Sequence, residues 1–208
     1  MSGRFPASAM SDIKYPAALA NTVGIALIDL LAPHCEMFFA SASGTSYPLC
    51  QIAGSLRRKK SEVGDIEIVY VSKIVPVMKP GEMFHSDGSA ADIFINELLG
   101  SKIEKRLSID GKPTWGPLNK LAVHKATGIP IDFFATTRED WFRTLVIRTG
   151  PKDFNIRLIM EADKRGKKIH AYGNGVTEVS TGEIVPVASE KDFLALAGIP
   201  WTEPQDRK

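Results

Sequence analysis

Residues 65–71, DIEIVYV, place the sharpest constraint on this chain. The segment is β-branched and apolar at alternate positions, which predicts a strand. Its alternation turns Ile66 and Ile68 to one face and Asp65 and Glu67 to the other, with the two carboxylates roughly 6–7 Å apart along the chain. Unpaired like charges on a strand that wants to be buried are costly. A divalent cation removes the conflict, because hard ions such as Mg²⁺ take carboxylate oxygens. The bland alternative is a strand face turned to water, and the residues before the strand argue against it. Gly54-Ser55 follow a short apolar strand, LCQIA (49–53), where a tight glycine turn can offer backbone N–H groups to a phosphate. Arg57-Arg58-Lys59-Lys60 come next. Such a run is often a solvated loop, but between metal-binding acids and a glycine turn it can reach a triphosphate, whose geometry the arginine fork matches. A third acid, Asp132, sits in a similar apolar strand, IPIDFFA (129–135). If that strand lies beside the first, three carboxylates converge, enough to hold two Mg²⁺ ions for an in-line phosphoryl displacement.

Composition narrows the class without deciding it. The 208 residues are 44% apolar and 24% charged, which predicts an ordinary globular core, and a net charge of +2 is too mild to announce nucleic acid by itself. Cys35 and Cys50 have no CxxC spacing, and the four histidines lie far apart. Both facts argue against a disulfide framework or a zinc site and fit a reducing compartment; a cytoplasmic setting, prokaryotic or viral, is expected. No run reaches the ~18 uninterrupted apolar residues of a membrane helix, and the first dozen residues lack the apolar run of a secretion signal. No membrane partner is expected.

Along the chain, residues 1–15 read as a flexible tail. A helix is predicted from Pro16 to Pro33 on the spacing of Leu19, Val23, Leu27 and Leu30. Short strands are expected at 37–40, 49–53, 65–71, 121–124 and 129–135. A helix is expected over 89–99 and a hairpin turning at Asp110-Gly111. From residue 136 the period becomes helical. Thr137 and Asp140 have capping-box spacing, Phe154, Leu158 and Ala162 mark a second helix, a hairpin follows over 168–187, and Ser189 with Asp192 caps a last helix. The chain is therefore read as α+β with a mixed or antiparallel sheet over 16–135, and a smaller helical and hairpin unit over 136–208.

These motifs together resemble the family X, DNA polymerase beta-like, nucleotidyltransferases. AGSLRRKKSEVGDIEIV is similar to their active-site signature, IDFF (131–134) to the strand bearing the third metal-binding acid, and RTGPKDFN (148–155) to their thumb motif. The C-terminal SEKDFLALAGIPWTEPQDRK resembles their closing segment. The resemblance implies a nucleotidyltransferase palm with Asp65, Glu67 and Asp132 as metal-binding and catalytic acids, Asp132 being the candidate proton acceptor at the primer hydroxyl. It implies nucleotide contacts from Gly54, Ser55, Arg58, Gly64, Arg148, Thr149, Gly150 and Asn155. It also implies two Mg²⁺ ions, replaceable by Mn²⁺, with dNTP and gapped or primer-template DNA as partners of a monomer. The implied activity is template-directed addition of dNMP in gap filling or repair.

The chain departs from the family pattern in four places. Glu67 stands where Asp is usual, and Ile147-Arg148 where an aromatic pair is usual. Pro151 follows Gly150 at a turn that is cis in the family, and a Gly-Pro bond lowers the cis penalty to roughly 0.5–1 kcal/mol from ~3, so a cis bond is expected. Too few residues precede the signature for the family's helix-hairpin-helix lyase domain, so a palm-plus-thumb form is expected. Two rival functions stay open: non-templated nucleotide transfer to a small molecule, protein or RNA end, and an inactive nucleic-acid-binding module. Lys120, Lys125, Lys152 and Arg157 are candidate DNA contacts. Trp141 and Phe142 are suited to base stacking but, in a helix after a strand, are expected in the core.

Overall fold

The computed structural model describes residues 13–40, 44–78, 81, 84–108, 110–171 and 173–208. The tail expected over 1–15 lies outside the described residues as far as residue 12. Residues 13–16 are not loose. Strand β1 (Tyr15–Pro16) pairs with β5 (Glu62–Val63), and the Tyr15 hydroxyl donates to the carbonyl of Gly128 at 3.0 Å.

The centre of the fold is a five-stranded mixed sheet, in the order β4 (Cys50–Ile52), β6 (Ile66–Tyr70), β11 (Pro130–Ala135), β10 (Asn119–His124), β9 (Ile103–Lys105). The β6–β11 pair is parallel and the others antiparallel. Alternation gives the sheet two different faces. Ile66, Ile68, Tyr70, Ile131 and Phe133 point to one side and bury against α1 (Ala17–Leu31), through Ala20, Val23, Leu27 and Leu31, and against Ala91 and Ile95 of α3 (Ala90–Glu97). Residues Ala17–His34 have a mean hydropathy of 1.4, enough by length and composition to cross a membrane, yet they serve here as the core helix of the sheet. On the opposite face, Val69, Val71 and Phe134 pack beneath Trp141 and Leu145 of α4 (Trp141–Thr149). That covers one end of this face and leaves the other end, where Glu67 and Asp132 project, uncovered.

The C-terminal unit has its own core. Val146 of α4, Phe154, Leu158 and Ala162 of α5 (Lys152–Asp163), Val176 of the β12–β13 hairpin (Lys167–Ile169, Val176–Glu178) and Phe193 and Leu194 of α6 (Glu190–Leu196) are all fully buried together. Ser189 caps α6 as expected, its Oγ accepting from the Asp192 amide at 3.0 Å. The helix expected from Thr137 begins instead at Trp141. Thr137 Oγ1 accepts from the Asp140 amide in a preceding turn, and Asp140 is held by Arg143 at 2.9 Å. Trp141 is 1% exposed, a core residue as its helical position predicted. The strand expected at 37–40 is β2 (Met37–Ala40), paired with β3 (Thr45–Pro48), and a further hairpin that local periodicity did not reveal is β7–β8 (Ile74–Val77, Ser86–Ser89).

Candidate active site

The uncovered end of the sheet forms the floor of an open cavity of about 980 Å³ between the sheet and α5. The parallel register sets Asp132 directly beside Glu67, and Asp65 stands one step before β6 on the same face. The expected convergence of strands is therefore present. Burial and the neighbouring acids push the Glu67 carboxyl up to about 8, with Asp65 and Asp132 each adding repulsion. Burial also raises Asp132, to about 6, although Arg106 and Arg148 oppose it. Asp65 is raised by burial against the pull of Arg106, Lys14 and Arg58. Acids held this way lack a partner charge of sufficient strength. As a donor set, three carboxylates on adjacent strands suit a hard divalent ion. The geometry is still open: among the described residues no three His, Cys, Asp or Glu side chains come close enough together to hold one.

Gly54 begins α2 (Gly54–Arg57) with φ +63, and a Cβ there would overlap the Glu67 carboxylate. Only glycine lets the turn lie against the acid. Ser55, Arg58, Gly64, Arg148, Gly150, Lys152 and Asn155 line the same cavity. The Arg58 guanidinium donates through Nη1 to the Thr149 carbonyl, while its Nε is buried without a hydrogen-bond partner among the described residues. The Asn155 amide donates to the Ile147 carbonyl at 2.7 Å, and its Oδ1 is likewise unpartnered. Orphaned buried polar atoms of this kind call for a ligand or solvent partner. The Gly150-Pro151 peptide is cis, as expected. Arg148 lies over the Phe134 ring, 3.6 Å from its centroid, facing Glu67 and Asp132.

Four expected contacts are placed differently. The Thr149 side chain is fully buried, accepting from Arg57 at 2.8 Å and donating to the Leu145 carbonyl at 2.6 Å, so it fixes the turn and does not face the cavity. Lys120 is 3% exposed and paired with Asp92 at 2.8 Å, beneath the Tyr70 hydroxyl, which corrects its reading as a DNA contact. Lys125 is tied to the Gly100 carbonyl and Glu104 away from the cavity. Arg157 lies against the Phe154 ring outside the lining, while Lys152 faces in.

Sequence reading missed Lys14 and Arg106, and read Arg57 only as part of the basic run. Lys14 lines the cavity beside Gly64 and acts on Asp65. Arg57 binds Glu190 of α6, which also receives Arg207 at 3.1 Å, tying α2 to the C-terminal unit. Arg106 binds Asp132 at 2.7 Å. Only the strand order could have placed Arg106, and nothing local marks Lys14.

Comparison with known proteins agrees with this geometry. Residues 144–208 match the family model of the DNA polymerase beta thumb. The chain is thus similar to the family X, beta-like DNA polymerases. It is 41% identical over 78 residues to the DNA polymerase/3′-5′ exonuclease PolX of Bacillus subtilis (strain 168), covering 38% of this chain and 13% of PolX. It is 22% identical over 175 residues to DNA polymerase lambda of Rattus norvegicus, covering 76% of this chain and 28% of lambda. Among solved structures it superposes on Leishmania infantum polymerase beta, with a TM-score of 0.67, 16% identity, and coverage of 97% of this chain and 79% of that one. The mixed sheet and the C-terminal unit thus correspond to the palm and thumb of family X.

Proposed function

We propose that this chain is a metal-dependent, template-directed DNA polymerase that adds dNMP to a primer 3′-hydroxyl in gap filling or repair. The observation that carries this reading is the side-by-side placement of Glu67 and Asp132 on parallel strands, with Glu67 lining one cavity together with Asp65, Arg58 and the thumb turn at Gly150. The matched structure of the Leishmania polymerase beta, a ternary P/T complex, supports a nucleic-acid and nucleotide partner.

On this reading Arg58, with its spare Nε, grips the incoming triphosphate beside the Gly54-Ser55 turn, and Lys14 adds charge next to Gly64. Asn155 offers its free Oδ1 to the edge of the base pair. Asp132 takes the proton of the primer hydroxyl. When bound at Asp65, Glu67 and Asp132, Mg²⁺, or Mn²⁺ in its place, would activate that hydroxyl and offset the charge developing on the phosphoryl group.

The test is incubation with Mg²⁺ or Mn²⁺, a one-nucleotide-gapped duplex and each dNTP separately, beside D132A. The expected result is addition of the complementary nucleotide alone, lost in D132A. Addition irrespective of the template would point to a terminal transferase, and no addition by a folded chain to an inactive binding module.

A further inference from the structure

Four residues on four neighbouring strand positions form one row across the sheet. Glu67 faces Asp132, and Asp132 faces Leu121. The β9–β10 register, Ala122 with Lys105, extends to set Arg106 opposite Leu121, and the Arg106 amide donates to the Leu121 carbonyl at 2.9 Å. Side chains in one row stand on the same face. Arg106 therefore rises from the same surface as the acids, two strands or about 10 Å from Asp132, and reaches back over Leu121 to close its ion pair. Its Nη2 meets Asp132 Oδ1 at 2.7 Å, with the two side chains 20% and 13% exposed. Arg106 also lines the cavity beside Ser108 and acts on Asp65.

An arginine bound this closely occupies Oδ1 of Asp132, one of the two oxygens its carboxylate could offer an ion. Among the described residues the three acids share a face yet stop short of ion-binding geometry. We propose that Arg106 is a resident counter-cation that withholds Asp132 from the ion site until a backbone phosphate of the acceptor strand takes the guanidinium, so that ion loading is coupled to binding of that strand. The proposal rests on the polymerase reading for the identity of the phosphate, because Asp132 is the acid assigned to the acceptor hydroxyl and Arg106 lies on its outer side. Arginine suits the exchange, since its planar fork pairs equally with carboxylate and phosphate. Arg106 is a positioning residue here: it acts through Asp132 and touches no reacting atom.

Mn²⁺ binding, read by the electron spin resonance of the free ion, tests this without turnover. Wild type, R106Q, R106K and D132A are titrated alone and with a gapped duplex whose primer ends in a dideoxynucleotide. Loss of a charge-assisted hydrogen bond frees Asp132, so R106Q is expected to bind Mn²⁺ about tenfold more tightly than wild type without DNA. The duplex should tighten Mn²⁺ on wild type and R106K and leave R106Q nearly unchanged. By reciprocity, Mn²⁺ should tighten the duplex on wild type by the same factor. D132A, losing the site, identifies the ion measured. Equal or weaker Mn²⁺ binding by folded R106Q overturns the proposal, as does a duplex that shifts wild type and R106Q alike. Failure of the polymerase reading shows separately, as absence of templated addition by wild type.

Discussion

Gly54 carries the tightest steric demand in the site. With φ +63 and the Glu67 carboxylate against its α-carbon, it admits no side chain. G54A is expected to displace Glu67 and lower kcat/KM by about 10²-fold, the scale of an ångström's misplacement of a catalytic group, while circular dichroism stays that of wild type. Single-turnover kinetics on a gapped duplex would show it. Glu67 itself sets a pH dependence. Its folded value of about 8 lies above the ordinary 4.5, so across that window the folded chain holds a proton that the unfolded chain has released. Stability from this source is present below pH 4.5 and is lost as pH rises through 8. In chelated buffer the Tm should fall from pH 5 to 8, and E67Q should flatten the fall; an equally steep fall in E67Q would refute the assignment. At this scale the sequence was informative. Asp65 and Glu67 announced themselves by alternation, and the glycine turn by its place before a basic run. Thr149 misled because its hydroxyl is turned inward by Leu145 and Arg57, contacts from distant parts of the chain.

Elements decide what residues can reach. The β6–β11 register is what makes Asp132 a neighbour of Glu67, and a slip of one residue would send Asp132 to the core face and turn Ile131 and Phe133 out of it. No local signal fixes that register, and the row that brings Arg106 to Asp132 depends on two further pairings. The helices and strands with clear periodicity were legible from spacing. The β7–β8 hairpin was not, because SDGS offers neither alternation nor apolar residues. Between elements, the Arg57–Glu190–Arg207 cluster is nearly dry, with side chains 19%, 12% and 0% exposed. E190A would leave two guanidinium groups facing each other without a counter-charge. A loss of about 3–5 kcal/mol is expected, measurable by urea unfolding, and a loss under about 1 kcal/mol would show that the cluster behaves as a surface pair.

The molecule as a whole places its charge unevenly. Lysines that looked equivalent in the sequence divide by burial: Lys120 lies under the sheet with Asp92, and Lys152 opens on the cavity. K120M is expected to destabilise the fold by about 3 kcal/mol and leave the salt dependence of DNA binding unchanged. K152A is expected to leave stability alone and reduce the slope of log K against log salt by about one. The reverse pattern would move the DNA-binding face elsewhere. The sheet explains the division: one face is sealed by α1 and α3, and the other is shared between the thumb at one end and the acids at the other. On the proposed function, this open end is an ion-dependent polymerase centre. Crystals of the chain with a gapped duplex, a non-hydrolysable dNTP and Mn²⁺, measured at the manganese absorption edge, test it most directly. The expected result is anomalous density enclosed by Asp65, Glu67 and Asp132, with the triphosphate on Arg58; density elsewhere, or a nucleotide bound away from these acids, would overturn the polymerase reading.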